Sequence, residues 1–371
     1  TTVETFTDGA RHALHAEQGQ WLQATNVEAI SHGNRDNSGQ APAPVMAQGV
    51  GSRLVFSGGL ARSHGNLGNG AESDPMQRFG TVTARDLGSV ELYDVEVTNT
   101  TSYGNGVLAQ GSGANVAITR GRVTANKGVL TKGGGQVVLN DVEVRADGQG
   151  VSTEGGRIDM RGGSIVMDNT TFRGEAILSA LGARVEIDGV KVETTARYDP
   201  PNTGQGFTGH GAHVMGVAEV HVRDSEFHIT GKDSAGVQVG YTPAYFVGGL
   251  ATVTRSRIRA DDGVGMRVWG VDSRGQINDS EIITGVSGDG GRGLAVSNRG
   301  NVGVSRSTIH AYGNRATGVD ISGFYTTARL DGAQVCTYGA DSTGVSLSNL
   351  AHAQLDNTQI TADGAAEIRA A

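Results

Sequence analysis

A six-residue phrase recurs along the chain, apolar at its first and last positions, with Asp, Arg, Gly or Asn at the third. Eleven copies occur: LYDVEV, ITRGRV, LNDVEV, MRGGSI, IDGVKV, VRDSEF, VTRSRI, INDSEI, VSRSTI, LDGAQV and LDNTQI. They end at Val97, Val123, Val144, Ile165, Val192, Phe227, Ile258, Ile282, Ile309, Val335 and Ile360, so ten intervals over 263 residues give a mean period of 26.3. A second phrase, Gly-Φ-x-Φ (Φ, apolar), falls once in each later period, as in GVQV, GMRV, GLAV, GVDI and GVSL.

This alternation of apolar and polar positions predicts two or three short strands per period, separated by turns rich in Gly, Asn, Asp and Ser. Helical periodicity is absent from the repeated region. Short strands that recur at this interval are typical of a parallel β-helix, in which each period is one coil stacked on the last. We therefore predict an all-β solenoid of about 14 coils, right-handed by the usual rule for parallel crossovers.

Charges within the phrase alternate in sign between successive copies. Equivalent positions of stacked coils lie about 4.8 Å apart, so the alternation places each acid beside a base on a neighbouring coil. The pattern predicts in-register stacking, with the charges fixing register and the Val, Ile and Leu columns supplying stability. The third and fifth positions carry Asp94/Glu96, Arg120/Arg122, Asp141/Glu143, Asp224/Glu226, Arg255/Arg257 and Asp279/Glu281.

Glycine accounts for 59 of the 371 residues, more than twice the roughly 7% of an average soluble protein. Collagen is excluded because no Gly-X-Y period exists and only 6 prolines occur, and a flexible linker is excluded because 37% of the residues are hydrophobic. A coil turns sharply three times, and Gly, Asn and Asp tolerate such corners best. We therefore assign the glycines to corners.

The net charge of −8, with Lys and Arg dispersed, argues against nucleic-acid partners and against anionic membrane surfaces. The single cysteine, Cys336, permits no internal disulfide and has no nearby His or Cys, so we interpret it as unreactive. No apolar run of about 18 residues and no basic-then-apolar leader occurs. We expect that any export signal or membrane anchor has been removed.

Residues 1–25 break the repeat, and we predict that they form an N-terminal cap over a single β-helix spanning 26–371. The segment from Asp8 to Ala24 is predicted as a short capping helix with Asp8 as its N-cap. His12 and His15 lie three residues apart, and we assign them to this cap rather than to a metal site.

The short Gly-rich coils, phrases such as LDGAQV and LDNTQI, and GVDISG resemble the passenger domains of bacterial type V autotransporters, above all the pertactin and serum-resistance group. The resemblance covers about residues 45–371 and lies in repeat style, not in a signature residue. It implies a pertactin-like or pectin-lyase-like β-helix that crosses the periplasm of a Gram-negative bacterium and is displayed or released at its surface. It also implies a missing signal peptide, C-terminal folding module and outer-membrane β-barrel.

Members of that family act as virulence-associated adhesins, or they capture host plasma proteins and complement regulators, C1 inhibitor among them. The resemblance therefore implies a non-enzymatic protein that binds a host plasma or complement regulator for immune evasion and serum resistance. An adhesin for host cells, matrix or glycans is the first alternative. A carbohydrate-active β-helix enzyme, a polysaccharide lyase or hydrolase, is the second, and a passive stalk is the third.

No catalytic site, metal site or cofactor is predicted. Polysaccharide lyases and hydrolases need several carboxylates converging in one groove, whereas the acidic column here alternates with arginines, and an ion-paired acid stays ionised. The adjacent pair Asp261 and Asp262 precedes Gly263 in an evident turn. The segment from Gly285 to Asp289 carries Asp where a G-x-S-x-G nucleophile motif ends in Gly.

The longest intervals between phrase copies indicate protruding loops at 193–210 and 240–249, and insertions in solenoids tend to mark the binding face. The second loop follows a Gly-Φ-x-Φ strand, so its aromatic residues fall in line with those on the equivalent turns of later coils. Clustered aromatics and arginines are the usual anchors of protein interfaces, and Arg267 is expected to add a polar contact. Alternatively, these loops fold back and cover exposed Val and Leu. The predicted partner-binding residues, in a chain expected to be a monomer, are Arg197, Tyr198, Phe207, Tyr241, Tyr245, Phe246, Trp269, Phe324 and Tyr325.

Overall fold

The computed structural model describes residues 1–6, 11–34, 42–65, 79–101, 104–168, 174–195, 209–240, 248–287, 290–364 and 366–370. Within these ranges every helix or strand assigned is a β-strand. The strands pair in parallel, and the predicted parallel β-helix is confirmed. The chain divides into two compact units, Thr1–Val166 and Met167–Ala371, which we call unit 1 and unit 2.

Unit 1 alternates short strands with long ones. The strands are β1 (Thr2–Thr5), β2 (Leu14–Glu17), β3 (Trp21–Ser31), β4 (Val45–Gln48), β5 (Arg53–Ser63), β6 (Gly80–Arg85), β7 (Ser89–Asn99), β8 (Asn105–Gln110), β9 (Asn115–Lys132), β10 (Gln136–Glu154) and β11 (Arg157–Met167), the last of which ends one residue into unit 2. The short strands β2, β4, β6 and β8 stack in register, and the long strands β3, β5, β7, β9 and β10 form a second stack. The last residues of β9 serve as the first strand of the next coil, because residues 127–132 pair with β8.

Unit 2 is more regular, with three separate strands in each coil. Its first strands are β12 (Ile177–Ala180), β15 (Ala212–Met215), β18 (Ser234–Val239), β21 (Gly263–Trp269), β24 (Arg292–Ser297), β27 (Thr317–Ser322), β30 (Thr343–Ser348) and β33 (Ala366–Ala370). Its second strands are β13 (Arg184–Asp188), β16 (Glu219–Arg223), β19 (Gly249–Thr254), β22 (Ser273–Asn278), β25 (Asn301–Ser305), β28 (Thr327–Asp331) and β31 (His352–Asp356). Its third strands are β14 (Lys191–Thr194), β17 (Glu226–Ile229), β20 (Arg257–Ala260), β23 (Glu281–Thr284), β26 (Thr308–Tyr312), β29 (Gln334–Tyr338) and β32 (Gln359–Ala362).

Three corners separate these strands. We call the link between first and second strands the first turn, the link between second and third strands the phrase corner, and the link to the next coil the return turn. The third residue of every phrase copy occupies the phrase corner in the left-handed conformation, with φ from 45° at Arg255 to 65° at Gly189. This conformation is costly for most L-residues and easiest for Gly, Asn and Asp, which accounts for eight of the eleven corner residues; the other three are arginines that pair with an aspartate on the preceding coil.

The predicted charge alternation produces ion pairs along the phrase corner. Nε and Nη2 of Arg120 each lie 2.9 Å from a carboxylate oxygen of Asp94. Arg255 pairs with Asp224 in the same two-pronged way, at 2.8 and 2.7 Å. These bonds join adjacent coils, so the coil register read from the charges is confirmed.

A column of glycines in the first strands has a different role from the predicted one. Gly236, Gly265, Gly293 and Gly318 occupy equivalent places in unit 2, and none has a left-handed φ. A Cβ on Gly265 would lie 2.6 Å from the carbonyl oxygen of Gly293 and closer still to Cγ2 of Ile282. Assigning all glycines to corners was therefore wrong: this column is glycine because neighbouring chain segments leave no room for a methyl group.

Aliphatic columns fill the interior of each unit. The residues that end the phrase copies from Val97 to Val335 are fully buried, whereas Ile360 of the last copy is half-buried. Phe56 and Phe227 are the largest completely buried side chains in the described part of the chain. The interior is thus built mainly from Val, Ile, Leu and Ala, as the low aromatic content predicts.

The predicted helix from Asp8 to Ala24 is wrong wherever the structure describes it. Leu14–Glu17 and the first residues of Trp21–Ser31 are strands that pair with later coils, Leu14 with Val45 and Trp21 with Arg53. Asp8 itself lies outside the described residues. The boundary predicted at residue 25 falls inside β3, because alternating residues such as Leu22 and Ala24 pack inward on a sheet.

Candidate partner-binding surface

Apolar side chains project from five of the first turns of unit 2, whereas the first turn at 298–300 carries Arg299 instead. Their exposed fractions run from 39% at Val271 to 77% at Tyr325. In a monomer, scattered exposed apolar residues are ordinary, but a repeated row on one corner is not. We call this set the turn ridge; it consists of Leu181, Val217, Val271, Phe324, Tyr325 and Leu350.

The local backbone explains why these side chains point outward. Leu181, Val217, Tyr325 and Leu350 all have left-handed φ values, between 56° and 61°. The turns are tied together by backbone hydrogen bonds, such as that from the Gly182 N–H to the Gly216 carbonyl at 3.0 Å. A left-handed conformation costs bulky residues about 1–2 kcal/mol each. Neither turn geometry nor packing within the coil stabilises apolar side chains here.

Three of the predicted partner-binding residues lie in the described structure. Phe324 and Tyr325 are exposed members of the turn ridge. Trp269 is half-buried and ends β21, in register with Ser297 and then Ser322, so it lies on the same side but at the end of a strand rather than at the turn tip. The other six lie outside the described residues: Arg197, Tyr198, Phe207, Tyr241, Tyr245 and Phe246.

Arg267, predicted to offer a polar contact, is engaged within unit 2 instead. Its Nη1 donates to Oε1 of Gln238 at 3.3 Å, and its Nη2 donates to the Asp233 carbonyl at 3.4 Å. Burial lowers the pKa of the Arg267 guanidinium. Arg299 is the basic residue that meets the ridge, with its guanidinium carbon 5.7 Å from the centre of the Tyr325 ring.

The aliphatic members of the turn ridge were missed by sequence reasoning. Leu181, Val217 and Val271 each sit beside a glycine just after a first strand, and Leu350 follows an asparagine. That signal is readable: an apolar residue next to Gly or Asn, immediately beyond a Gly-Φ-x-Φ strand, has no interior position to occupy. A search for aromatic and arginine anchors does not select such aliphatic residues.

A groove with a volume of about 650 Å³ runs along the phrase corner of unit 2. Arg255 holds the pKa of Asp224 below its ordinary value through their hydrogen bonds, and Arg306 does the same for Asp279. Carboxylates held ionised in this way are poor general acids. The groove is lined by Gly189, Val190, Lys191, Asp224, Ser225, Glu226, Arg255, Ser256, Arg257, Asp279, Ser280 and Glu281.

Buried serines form the floor of this groove, at the fourth position of the phrase. The Ser256 hydroxyl accepts the Ser225 N–H at 3.1 Å and donates to the Thr254 carbonyl at 2.8 Å. Ser280 and Ser307 repeat the arrangement on the next coils. These hydroxyls satisfy backbone groups where the corner interrupts the strand ladder, so they are not available as nucleophiles.

A buried polar cluster lies at the start of two first strands. The ring Nδ1 of His210 accepts the Ala235 N–H at 2.9 Å, and Nδ1 of His213 is 3.2 Å from Oε1 of Glu175. Burial lowers the pKa of His210 to about 3, with His213 as the second cause. A neutral imidazole with so low a pKa is a weak base at neutral pH, and its bond to Ala235 indicates a structural role.

His12 follows the same logic in unit 1: burial lowers its pKa to about 4, and its Nδ1 lies 3.1 Å from the Ala43 carbonyl oxygen. Cys336 is buried, in register with His310 of the neighbouring coil.

In the described ranges, no three His, Cys, Asp or Glu side chains gather as metal ligands. None of the described residues belongs to a helix long and apolar enough to span a membrane. Neither a protein-family model nor a curated protein matches this chain.

Proposed function

We propose that this protein is a non-catalytic binding solenoid that engages a partner protein through the turn ridge. The observation that carries the proposal is the repeated exposure of large apolar side chains on one corner of unit 2. Such rows, with aromatic members, are the usual cores of protein interfaces.

The energetics of the ridge support this reading. Val217 and Tyr325 combine a strained backbone conformation with exposure of 75% and 77% of their surface. Replacement by asparagine would relieve both costs, because Asn tolerates the left-handed region and is polar. A partner that buries these side chains would recover about 25 cal/mol for each Å² of apolar area removed from water.

The scaffold suits such a role. Coils repeat about every 4.8 Å, and several first turns are held to the next coil by backbone hydrogen bonds, such as that from the Gly323 N–H to the Ser348 carbonyl at 3.2 Å, so these parts of the ridge are presented in a fixed geometry before binding. A preorganised surface loses less conformational entropy on association than mobile loops do. The rigid stack therefore favours binding of either a folded partner protein or an extended segment of one.

The resemblance to autotransporter passengers supports a finer proposal. In that reading the chain is displayed at, or released from, the surface of a Gram-negative bacterium, and the partner is a host plasma or complement regulator. An adhesin for matrix or glycans is the alternative within binding proteins. Against a polysaccharide-degrading enzyme, the groove offers acids whose pKa values are lowered by arginines.

The test combines capture with a ridge variant. Purified protein is immobilised, exposed to human plasma and to matrix proteins, and the retained proteins are identified by mass spectrometry. The variant Val217→Asn/Tyr325→Asn/Leu350→Asn should lose a saturable capture while keeping or raising its thermal stability. Leu87→Asn, at an exposed left-handed leucine of unit 1, is the matched control.

Stability measured beside capture separates folding from binding. Capture abolished in the triple variant and retained in Leu87→Asn supports the proposal, and a regulator or a matrix protein in the eluate decides between the finer readings. Absence of any saturable capture, or capture unchanged in the triple variant, would refute the ridge as a binding surface. Release of reducing ends or unsaturated products from polysaccharides would refute the non-catalytic reading.

A further inference from the structure

We infer that the part of the turn ridge around Phe324 and Tyr325 recognises an acidic segment of its partner, with an apolar side chain on the same face as two carboxylates. This inference rests on the proposed function, since it names the chemistry of the partner for the same surface. The observation behind it is the placement of two arginines, Arg274 and Arg299, beside the exposed aromatic pair.

Most arginines of unit 2 have carboxylate partners. Examples are Arg184 with Glu219 at 3.1 Å and Arg257 with Glu281 at 3.0 Å. The full set of paired arginines among the described residues of unit 2 is Arg184, Arg223, Arg255, Arg257, Arg259, Arg292, Arg306 and Arg329. Arginine on this unit is therefore used chiefly to link or brace the coils.

The described arginines of unit 2 without a carboxylate within 4.0 Å are Arg267, Arg315, Arg369, Arg274 and Arg299, and of these only Arg274 and Arg299 lie in or directly after a first turn. Both are exposed, and among the described residues neither has a carboxylate within 4.0 Å. Asp272 is close to Arg274 in sequence, yet the two form no ion pair. Arg299 instead stacks with Tyr325, which orients its guanidinium while leaving its hydrogen-bonding edge available.

The two arginines and the aromatic pair occupy three successive coils. Arg274 is the second residue of β22, just after the first turn that contains Val271, Arg299 lies in the next first turn, and Phe324 and Tyr325 lie in the turn after that. Adjacent turns are joined directly, since the Arg299 N–H donates to the Thr326 hydroxyl at 3.0 Å. Two coil spacings amount to about 10 Å, the length of three residues of extended chain.

This geometry matches an extended peptide with alternating side chains. Side chains at i, i+2 and i+4 of a strand lie on one face, about 6.6 Å apart, so a segment Glu-x-Glu-x-Leu presents two carboxylates to Arg274 and Arg299 and its apolar side chain to the ridge. Guanidinium groups bind carboxylates in planar, two-pronged geometry. The chain carries a net charge of −8, and in the described segments 270–274, 298–300 and 323–326 Arg274 and Arg299 are the only basic residues, which disfavours long polyanions that require broad basic surfaces.

Fluorescence anisotropy with defined peptides tests the inference. The probes are a labelled synthetic peptide that repeats Glu-Ser-Glu-Ser-Leu-Ser, which places Glu and Leu on one face when extended, the same peptide with Lys in place of Glu, and labelled heparin. We expect the Glu peptide to bind and the Lys peptide not to bind. Arg274→Gln and Arg299→Gln should each weaken binding of the Glu peptide by up to about fivefold, the range for an exposed ion pair.

Arg329→Gln is the matched control, because Arg329 is equally exposed but pairs with Asp356 at 3.5 Å. It should leave peptide binding unchanged. Equal binding of the Lys peptide, no binding of the Glu peptide, or indifference to both arginine variants would overturn the acidic-segment inference. Heparin binding that depends on Arg274 and Arg299, without Glu-peptide binding, would overturn it in favour of a sulfated glycan.

The proposed function fails separately. If plasma or matrix capture survives the triple asparagine variant, the ridge is not the binding surface, whatever the peptides do. If capture is lost in that variant but is unaffected by Arg274→Gln and Arg299→Gln, the ridge stands and the acidic chemistry is refuted.

Discussion

We expect one substitution, glycine to alanine, to have opposite effects on stability at two strand positions of unit 2. Gly265 lies in a first strand, and a methyl group there would meet the Gly293 carbonyl oxygen at 2.6 Å and Cγ2 of Ile282 at an even shorter distance. Gly303 lies in the second strand β25, and nothing stands within 4 Å of the same methyl group. Neither glycine has a left-handed φ.

The expected magnitudes follow from these contacts. At Gly265 the methyl group must displace backbone as well as a side chain, so Gly265→Ala should reduce the free energy of unfolding by about 1–3 kcal/mol or more, the usual cost of overpacking. At Gly303 the added methyl only restricts the unfolded chain, so Gly303→Ala should raise that free energy by about 0.4–1 kcal/mol. Because neither glycine has a left-handed φ, opposite signs would show that the room available for the methyl group, and not the backbone conformation, decides the effect on stability.

Urea denaturation followed by far-ultraviolet circular dichroism measures both variants against the parent chain. The denaturant slope must be compared as well as the midpoint, because stacked repeats can lose cooperativity and unfold in parts. Amide hydrogen exchange of β21 and β24 then reports whether the loss is local. If the two variants shift the midpoint in the same direction and by a similar amount, the close-packed glycine column is not the reason for glycine at Gly265.

Two further outcomes follow from buried polar groups. Ser256→Ala should lower the free energy of unfolding by about 1–3 kcal/mol, because the Ser225 N–H loses its acceptor. Ser287→Ala, at an exposed turn, is the control and should be neutral by the same denaturation assay. Equal effects of the two substitutions would contradict the role of the buried serine hydroxyls as backbone acceptors. The pKa of His210 is about 3 in the folded chain, below its unfolded value, so the unfolded chain binds more protons between about pH 6.5 and pH 3. The free energy of unfolding therefore falls as the pH falls through that window, by about 2 kcal/mol at pH 5. His210→Asn, which keeps an acceptor for the Ala235 N–H, should flatten this pH dependence in denaturation curves at pH 7 and pH 5; an unchanged slope would show that His210 is not its source.

Much of the fold could be predicted from the sequence because each period of the repeat in a β-helix forms one coil. The phrase ending at Val97 and its later copies carried the coil register, since buried positions must recur in every coil. The sign alternation at Asp94 and Arg120 carried the same information independently, because stacked like charges repel. The corner residues could also be inferred, since Asp, Asn and Gly share tolerance for left-handed φ.

Other features could not be read because they depend on neighbours distant in sequence. The segment Leu14–Glu17 looks aperiodic in isolation, yet it becomes a strand because β4 lies beside it. Ser256 reads as an ordinary turn serine until the Ser225 N–H of the preceding coil is seen to need an acceptor. Local propensity yields to such long-range pairing in β-structure.

The candidate site divides in the same way. Phe324 and Tyr325 were identified from composition, because aromatics are scarce and those two fall after a Gly-Φ-x-Φ strand. Val217 and Leu350 required the structure, because an aliphatic residue counts as an interface candidate only once its side chain is known to be exposed. The isolation of Arg299 from carboxylates likewise appears only when the coils are stacked.

The sequence by itself determined the repeat, the parallel stacking and the chemistry of the phrase corner, because each is a local preference repeated in every coil. The tertiary structure alone decided which glycines are packed rather than bent, which hydroxyls replace backbone acceptors, and which apolar turns remain uncovered. Those properties are set by distances between residues far apart in sequence, such as Gly265 and Gly293 of adjacent coils. Periodicity fixes which coils are neighbours, but only their three-dimensional packing fixes how much space remains between them.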